Sequence, residues 1–402
     1  MANLVGADGR LFAEQRPGAD TTQFQVNNTS EQYYRSPYYL QHQRQVQPIP
    51  APRIDPPRMT LAEVLGDAAV QDRQAARQIS FHAVGDTGAA IQAHLVNEES
   101  VSDMMVADLQ AGGGTAPSFF FHLGDVVYYY GEAQYYYDQF YDPFRAYDRP
   151  IFAIPGNHDG AVYGDSSTGK APPTLEGFLR NFCAPAPGPS PDSGGLARSA
   201  MTQPGVYFTL DAPMVSIIGL YSNVLEGPGV ISSQGGKYPL SDAQRQFLQA
   251  ELTRLKPLRA AGERAVIVAV HHPPLSVDAQ HGGSTGLSSD IDTACRQAGL
   301  WPDAVLSGHA HLYQRFTRHV ANKEIPDIVA GSGGFNAKAN PQERIPATPF
   351  TQGDTTLEIA PVIEYGYLTV TIDMTLTAKT MTIAFHSPKV GRNYDHVTIN
   401  LV

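Results

Sequence analysis

The chain has 402 residues, an apolar fraction of 42% and a formal net charge of −11. The length allows more than one domain, and the apolar share is ample for a buried core. An acidic balance with no basic block argues against a dedicated nucleic-acid or anionic-membrane surface.

The chain opens with neither a basic n-region nor an apolar h-region, and no apolar run reaches transmembrane length, so the expected location is cytoplasmic. Residues 1–57 lack hydrophobic period and carry Pro48, Pro50, Pro52, Pro56 and Pro57 beside two tyrosine pairs. Proline at this density prevents helix and ladder alike. The segment reads as an extended arm laid over the rest of the chain or over a neighbouring subunit. Residues 58–402 read as one catalytic domain. Thr60-Leu61-Ala62-Glu63 is a capping box that predicts a helix to about Arg77. Ile79–Val84 alternates as a strand and ends in Gly85-Asp86-Thr87-Gly88. Helical sequence broken near Asn97 follows, with His94, Glu98 and Glu99 expected on a solvated face.

Phe119-Phe120-Phe121-His122-Leu123 reads as a strand buried on both faces, ending in Gly124-Asp125. A tyrosine-rich helix is expected over about Glu132–Tyr147. Pro150–Ile154 is a third strand, ending in Pro155-Gly156-Asn157-His158-Asp159. Strand and helix alternate here, which implies a largely parallel sheet. Residues 160–205, rich in Gly, Pro, Ser and Ala, form an insertion expected to be a rim or lid that sets substrate choice. Further strands are predicted at Val206–Leu210, Met214–Leu220, Ala265–Val270, Ala304–Leu306 and Ile328–Ala330, with a helix from Ser241 to about Leu255. Two alternating strands near the end, Tyr367–Ile372 and Thr380–Phe385, should complete an antiparallel edge. Cys183 and Cys295 match no zinc spacing and read as free buried thiols.

Five strand ends carry metal-ligand residue types: Asp86, Asp125, Asn157, His271 and the pair His309/His311. A buried carboxylate without a partner is costly, so Asp125 is not core filler. Carboxylates, an amide oxygen and imidazoles suit two borderline-to-hard ions, with Asp125 placed to bridge them. The strand ends of an open α/β sheet are where ligands bind.

The motifs Gly-Asp-Thr-Gly, Gly-Asp-Val-Val-Tyr, Gly-Asn-His-Asp, Val-Ala-Val-His and Gly-His-Ala-His resemble, in order, the five motifs of the calcineurin-like metallophosphoesterases. The wider superfamily usually starts with Asp-x-His, and here Gly88 stands where that histidine would be. The purple acid phosphatase branch also lacks it and uses a tyrosine after the second motif, the place of Tyr128. The resemblance covers roughly residues 79–335. It implies an αββα sandwich of two mixed sheets flanked by helices. It also implies a ferric site held by Asp86, Asp125, Tyr128 and His311, and a divalent site (Fe, Zn or Mn) held by Asp125, Asn157, His271 and His309. A phenolate is a hard, strongly donating ligand suited to Fe(III).

By the same resemblance His158 contacts the phosphoryl or leaving group, with Asp159 orienting it as carboxylates orient catalytic imidazoles. His281 matches a substrate-contacting histidine, in a loop expected to be flexible. His272 is expected to pack or hydrogen-bond rather than ligate. The implied reaction is hydrolysis of a phosphate monoester by a water activated between two ions about 3.5–4 Å apart. A phosphodiesterase or nucleotide pyrophosphatase is the alternative. A non-catalytic binding protein and a redox iron protein are readings from other classes.

Overall fold

The computed structural model describes residues 4–5, 11–12, 49–128, 131–160, 174–222, 229–238, 240–278, 281–335, 347–375 and 379–401. Most of the expected arm, and residues 161–173 of the insertion, lie outside the described residues. Two short strands, β1 (Leu4–Val5) and β2 (Leu11–Phe12), pair antiparallel. The other strands form two mixed sheets, one of nine strands and one of six.

β3 (Arg58–Thr60) lies at one edge of the nine-stranded sheet. β4 (Gln78–Val84), β5 (Phe120–His122) and β6 (Ile151–Ala153) run parallel in the six-stranded sheet. The chain then returns to the larger sheet. β7 (Phe208–Ala212) and β8 (Val215–Gly219) form an antiparallel pair. Beside them β8, β9 (Ala265–Ala269) and β10 (Ala304–Ser307) are parallel neighbours. β11 (Tyr313–Val320), β12 (Lys323–Ala330), β13 (Phe350–Gln352) and β14 (Thr355–Val362) finish that sheet. β15 (Tyr367–Asp373), β16 (Thr380–Ser387) and β17 (Gly391–Asn400) then add an antiparallel edge to β4, as their alternating sequence predicts.

The pleat of the central strand explains the layering. Phe119 and Phe121 point into the space between the sheets, where Phe81 and Phe152 meet Ile217, Ile267, Leu306 and Ile328. Burying each such phenylalanine contributes roughly 1.5–3 kcal/mol. Phe120 points the other way and joins a second cluster with Val101, Met105 and Phe144. On the far side, Ile218, Val266 and Val268 join that cluster with Leu248, Leu252 and Ile291. The result is helix, sheet, sheet, helix.

Several elements differ from the sequence reading. Thr60 Oγ1 does meet Glu63 Oε1, at 3.1 Å, but the helix breaks at Gly66 (φ 83°) into α1 (Ala62–Leu65) and α2 (Asp67–Ala76). α3 (Gln92–Ala111) is unbroken through Asn97, whose Nδ2 donates to Ala93 O. His94 and Glu98 lie on its buried stripe, not on a solvated face, and Glu99 is half-buried. The tyrosine-rich stretch forms a 3₁₀ turn (Ala133–Tyr135) and a π turn (Tyr137–Tyr141) rather than an α-helix. Tyr135, Tyr136, Phe140, Tyr141 and Phe144 are all buried, which no single helical stripe would allow.

α4 (Asn157–Gly160) is a single turn carrying the third motif. α5 (Glu176–Phe182) belongs to the insertion, whose described part braces the β6 edge. There Gln203 Oε1 accepts from Ala153 N, and Gln203 Nε2 donates to Ala153 O, both at 2.8 Å. Arg53 locks the end of the arm onto this brace by donating to Thr202 O and Gln203 O. α6 (Ala243–Ala260) and α7 (Thr285–Ala298) cover the nine-stranded sheet. Cys183 and Cys295 are free and buried. Among the described residues no helix is long and apolar enough to cross a membrane.

Candidate metal centre

The five motif residues follow the carboxyl ends of β4, β5 and β6 in one sheet and of β9 and β10 in the other. The turns that deliver them are tight. Asp86, Asp125 and His309 all have left-handed backbones, at φ 60°, 56° and 69°. Strained turns of this kind persist where the surrounding structure holds them. Here Asp86 N donates to Gly124 O, and His309 N donates to Asp86 Oδ2 at 2.8 Å. Gly124 (φ 100°) lets the loops close, since a Cβ there would lie 2.6 Å from His271 Nδ1.

Two groups of donors result. In the first, the Tyr128 hydroxyl lies 3.2 Å from Asp86 Oδ1, 3.1 Å from Asp125 Oδ2 and 3.4 Å from His311 Nε2. In the second, Asn157 Oδ1 lies 2.9 Å from both His271 Nε2 and His309 Nδ1. Asp125 Oδ2 links them, 3.3 Å from His271 Nε2. The donor atoms of Asp125, His271 and His309 all lie within 4.8 Å of one another. His271 Nδ1 meets Leu123 O at 2.9 Å, which fixes the tautomer and leaves the Nε2 lone pair available to a metal.

These residues fit a pair of metal ions. Asp86 and Asp125 are buried, and among the described residues their ion pairs are with histidines. Burial, followed by the Asp125 and Asp86 carboxylates, pushes the Tyr128 phenol well above 10. Burial pulls His271 down, but Asp125 outweighs it and raises the imidazole to about 9. Burial and the surrounding imidazoles hold His309 well below 6.5. A cation among these atoms reverses the first two tendencies, favouring phenolate and neutral imidazole.

Gly88 explains why a tyrosine occupies the first group. A Cβ at Gly88 would lie 2.6 Å from Val126 O and 3.0 Å from the Tyr128 ring. Any side chain there would meet the Val126 backbone first and crowd the phenol ring. Gln139 brackets Tyr128 by accepting from its N at 2.8 Å and donating to its O at 2.7 Å. Phe335 stacks on the phenol ring at 3.5 Å, nearly parallel. Neither contact was legible in the sequence. The Gly331–Gly334 turn before Phe335 lies against the site, with Gly333 N donating to Gly85 O.

The other predicted residues divide. The His158 ring lies 4.3 Å from the Tyr128 ring, and its backbone N donates to Asp125 Oδ1 at 2.9 Å. The Asp159 carboxylate accepts from the backbone N of Val126, Val127 and Gly156, which ties the second motif to the third. Burial and Asp125 raise it to about 7. The His281 ring lies 4.6 Å from His309 and 5.3 Å from His311. His272 hydrogen-bonds Ser222 Oγ through Nδ1, 2.9 Å away. His122 lies in the outer face of β5, hydrogen-bonded to Thr87 and Gly124.

No curated protein matches the chain. Among solved structures it resembles a purple acid phosphatase from yellow lupin (Lupinus luteus) seeds, at 16% identity and TM-score 0.53. That match covers 80% of this chain and 54% of the lupin protein, so the chain spans about half its length. It also resembles GAP50, described as the anchor in the inner membrane complex of Plasmodium, at 14% identity and TM-score 0.52 over 80% and 89% of the two chains. At these identities the likeness is one of fold. The model of the calcineurin-like phosphoesterases matches residues 79–313, more than half of the chain and all five motifs. The chain therefore belongs to the calcineurin-like phosphoesterase family.

Proposed function

We propose that the chain is a dinuclear, purple acid phosphatase-like hydrolase of phosphate monoesters. The observation that carries this reading is the position of Asp125 Oδ2, 3.1 Å from the Tyr128 hydroxyl and 3.3 Å from His271 Nε2. One carboxylate oxygen faces both donor groups, as a bridging ligand must. Asp86, Asp125, Tyr128 and His311 would hold Fe(III); Asp125, Asn157, His271 and His309 would hold a divalent Fe, Zn or Mn ion. When bound, the ions supply Lewis acidity and an activated water at neutral pH. The chain's own part is to orient the ester and move a proton. His158 lies over the Tyr128 side of the cluster and His281 over the His309/His311 side, so an ester between them has an imidazole near its leaving oxygen.

The test is Asp125→Ala with metal analysis and assays on p-nitrophenyl phosphate and its bis ester. Turnover and metal loading are expected to fall together, with the monoester preferred by the parent protein. Lost turnover with both metals retained would contradict the bridge, and preference for the bis ester would move the assignment to a phosphodiesterase. A violet colour lost in Tyr128→Phe is the expected sign of ferric tyrosinate.

A further inference from the structure

The segment that carries His281 is held by a built network that no sequence motif announces. Gln314 is fully buried in β11, on the strand that leaves ligand His311. Its Nε2 donates to Ser276 Oγ at 2.7 Å, and its Oε1 accepts from Val277 N at 3.1 Å. Ser276 Oγ in turn accepts from Asp278 N. Asp278 Oδ2 then accepts twice from His281, from the backbone N at 2.9 Å and from Nδ1 at 2.6 Å. Gly282 N donates to Asp278 O, and Ser284 N to Pro273 O, closing the turn. A Cβ at Gly283 would lie 2.8 Å from Pro274 O and from Ser276 N, so the turn has no room for a side chain.

The consequence concerns the imidazole. With Nδ1–H committed to a buried carboxylate, the tautomer is fixed, as in carboxylate–histidine pairs generally. Nε2 makes no hydrogen bond among the described residues, while the ring packs against His309 and His311. We propose that Asp278 and Gln314 are positioning residues. Asp278 sets the Nδ1–H form of His281, and Gln314 ties that imidazole to the strand bearing His311. This rests on the phosphoesterase reading above. As water adds to phosphorus and the ester P–O bond breaks, its electron pair stays on the leaving oxygen, which takes the Nε2 proton of the doubly protonated ring and leaves the Nδ1–H form.

The experiment uses the full chain and has two arms. In the first, long-range proton–nitrogen NMR reads the His281 tautomer. The Nδ1–H form is expected in the parent protein and is expected to be lost in Asp278→Asn, whose amide can donate to Nδ1. An unchanged tautomer in that variant overturns the proposal, whatever the protein hydrolyses. In the second arm, metal-loaded protein is assayed on an alkyl phosphate and on p-nitrophenyl phosphate, whose leaving group needs little protonation. Asp278→Asn and Gln314→Leu are each expected to lose at least tenfold more kcat on the alkyl ester than on the aryl ester. Equal losses on both would mean a purely structural role and overturn it. A parent protein that loads both metals and hydrolyses neither ester would refute the phosphatase reading, while the tautomer arm still decides the placement of His281.

Discussion

Asp327 is a residue whose burial has a measurable cost. It sits in β12 between β10 and β11, with both carboxylate oxygens buried and unbonded among the described residues. Burial, only partly opposed by Arg318, raises its carboxyl to about 7. The folded chain therefore keeps a proton that the unfolded chain releases near pH 4. Stability from this group is complete below about pH 4 and is lost as pH rises to about 7. Asp327→Asn is expected to remove that loss, on the order of 3–4 kcal/mol between pH 4 and 8. Urea unfolding at pH 5 and pH 8 checks it, and parallel pH profiles for the two proteins would rule it out. In the candidate metal centre Asp86 and Asp125 are also buried, and there the Tyr128 hydroxyl lies within 3.2 Å of a carboxylate oxygen of each.

At the scale of elements, α7 was not expected from the sequence. The chain is helical from Thr285 to Ala298. Ser284 caps the helix, its Oγ accepting from Leu287 N at 3.0 Å and donating to Gly229 O at 2.6 Å. Gly299 ends it in a left-handed turn. Its buried apolar residues, Leu287, Ile291, Ala294, Cys295 and Ala298, recur at helical spacing, so the period is present in the sequence. Ser284→Ala is expected to cost about 1–2 kcal/mol, read as a lower urea midpoint. An unchanged midpoint would show that the cap contributes nothing.

In the whole molecule the candidate ligands come from both sheets, with Asp86, Asp125 and Asn157 on one and His271, His309 and His311 on the other. Metal bound to the folded state alone stabilises it by mass action. Chelation is therefore expected to lower Tm in the parent protein and to change it little in Asp125→Ala. The difference should narrow toward pH 4–5, where protonation of the ligands releases metal. Thermal scans with and without chelator at pH 7 and pH 5 decide this. An identical Tm with and without metal at pH 7 would mean that the two sheets are joined by their apolar layer alone.

The sequence by itself determined the strands that deliver the donors, because Phe119–Leu123, Ile151–Ala153, Ala265–Ala269 and Ala304–Leu306 are apolar runs stopped by Gly, Pro or His turns. It also determined the donor types, since buried carboxylates and imidazoles at such ends have few other uses. Tertiary structure alone decided which side chains serve them. The stack of Phe335 on Tyr128, the Gln139 bracket, the hold of Asp278 on His281 and the turning of Asp159 onto backbone amides all depend on where loops arrive in space. Local periodicity encodes which face of a strand is buried. It carries no information about contacts between segments far apart in the chain, and those contacts fix the orientation of the chemistry.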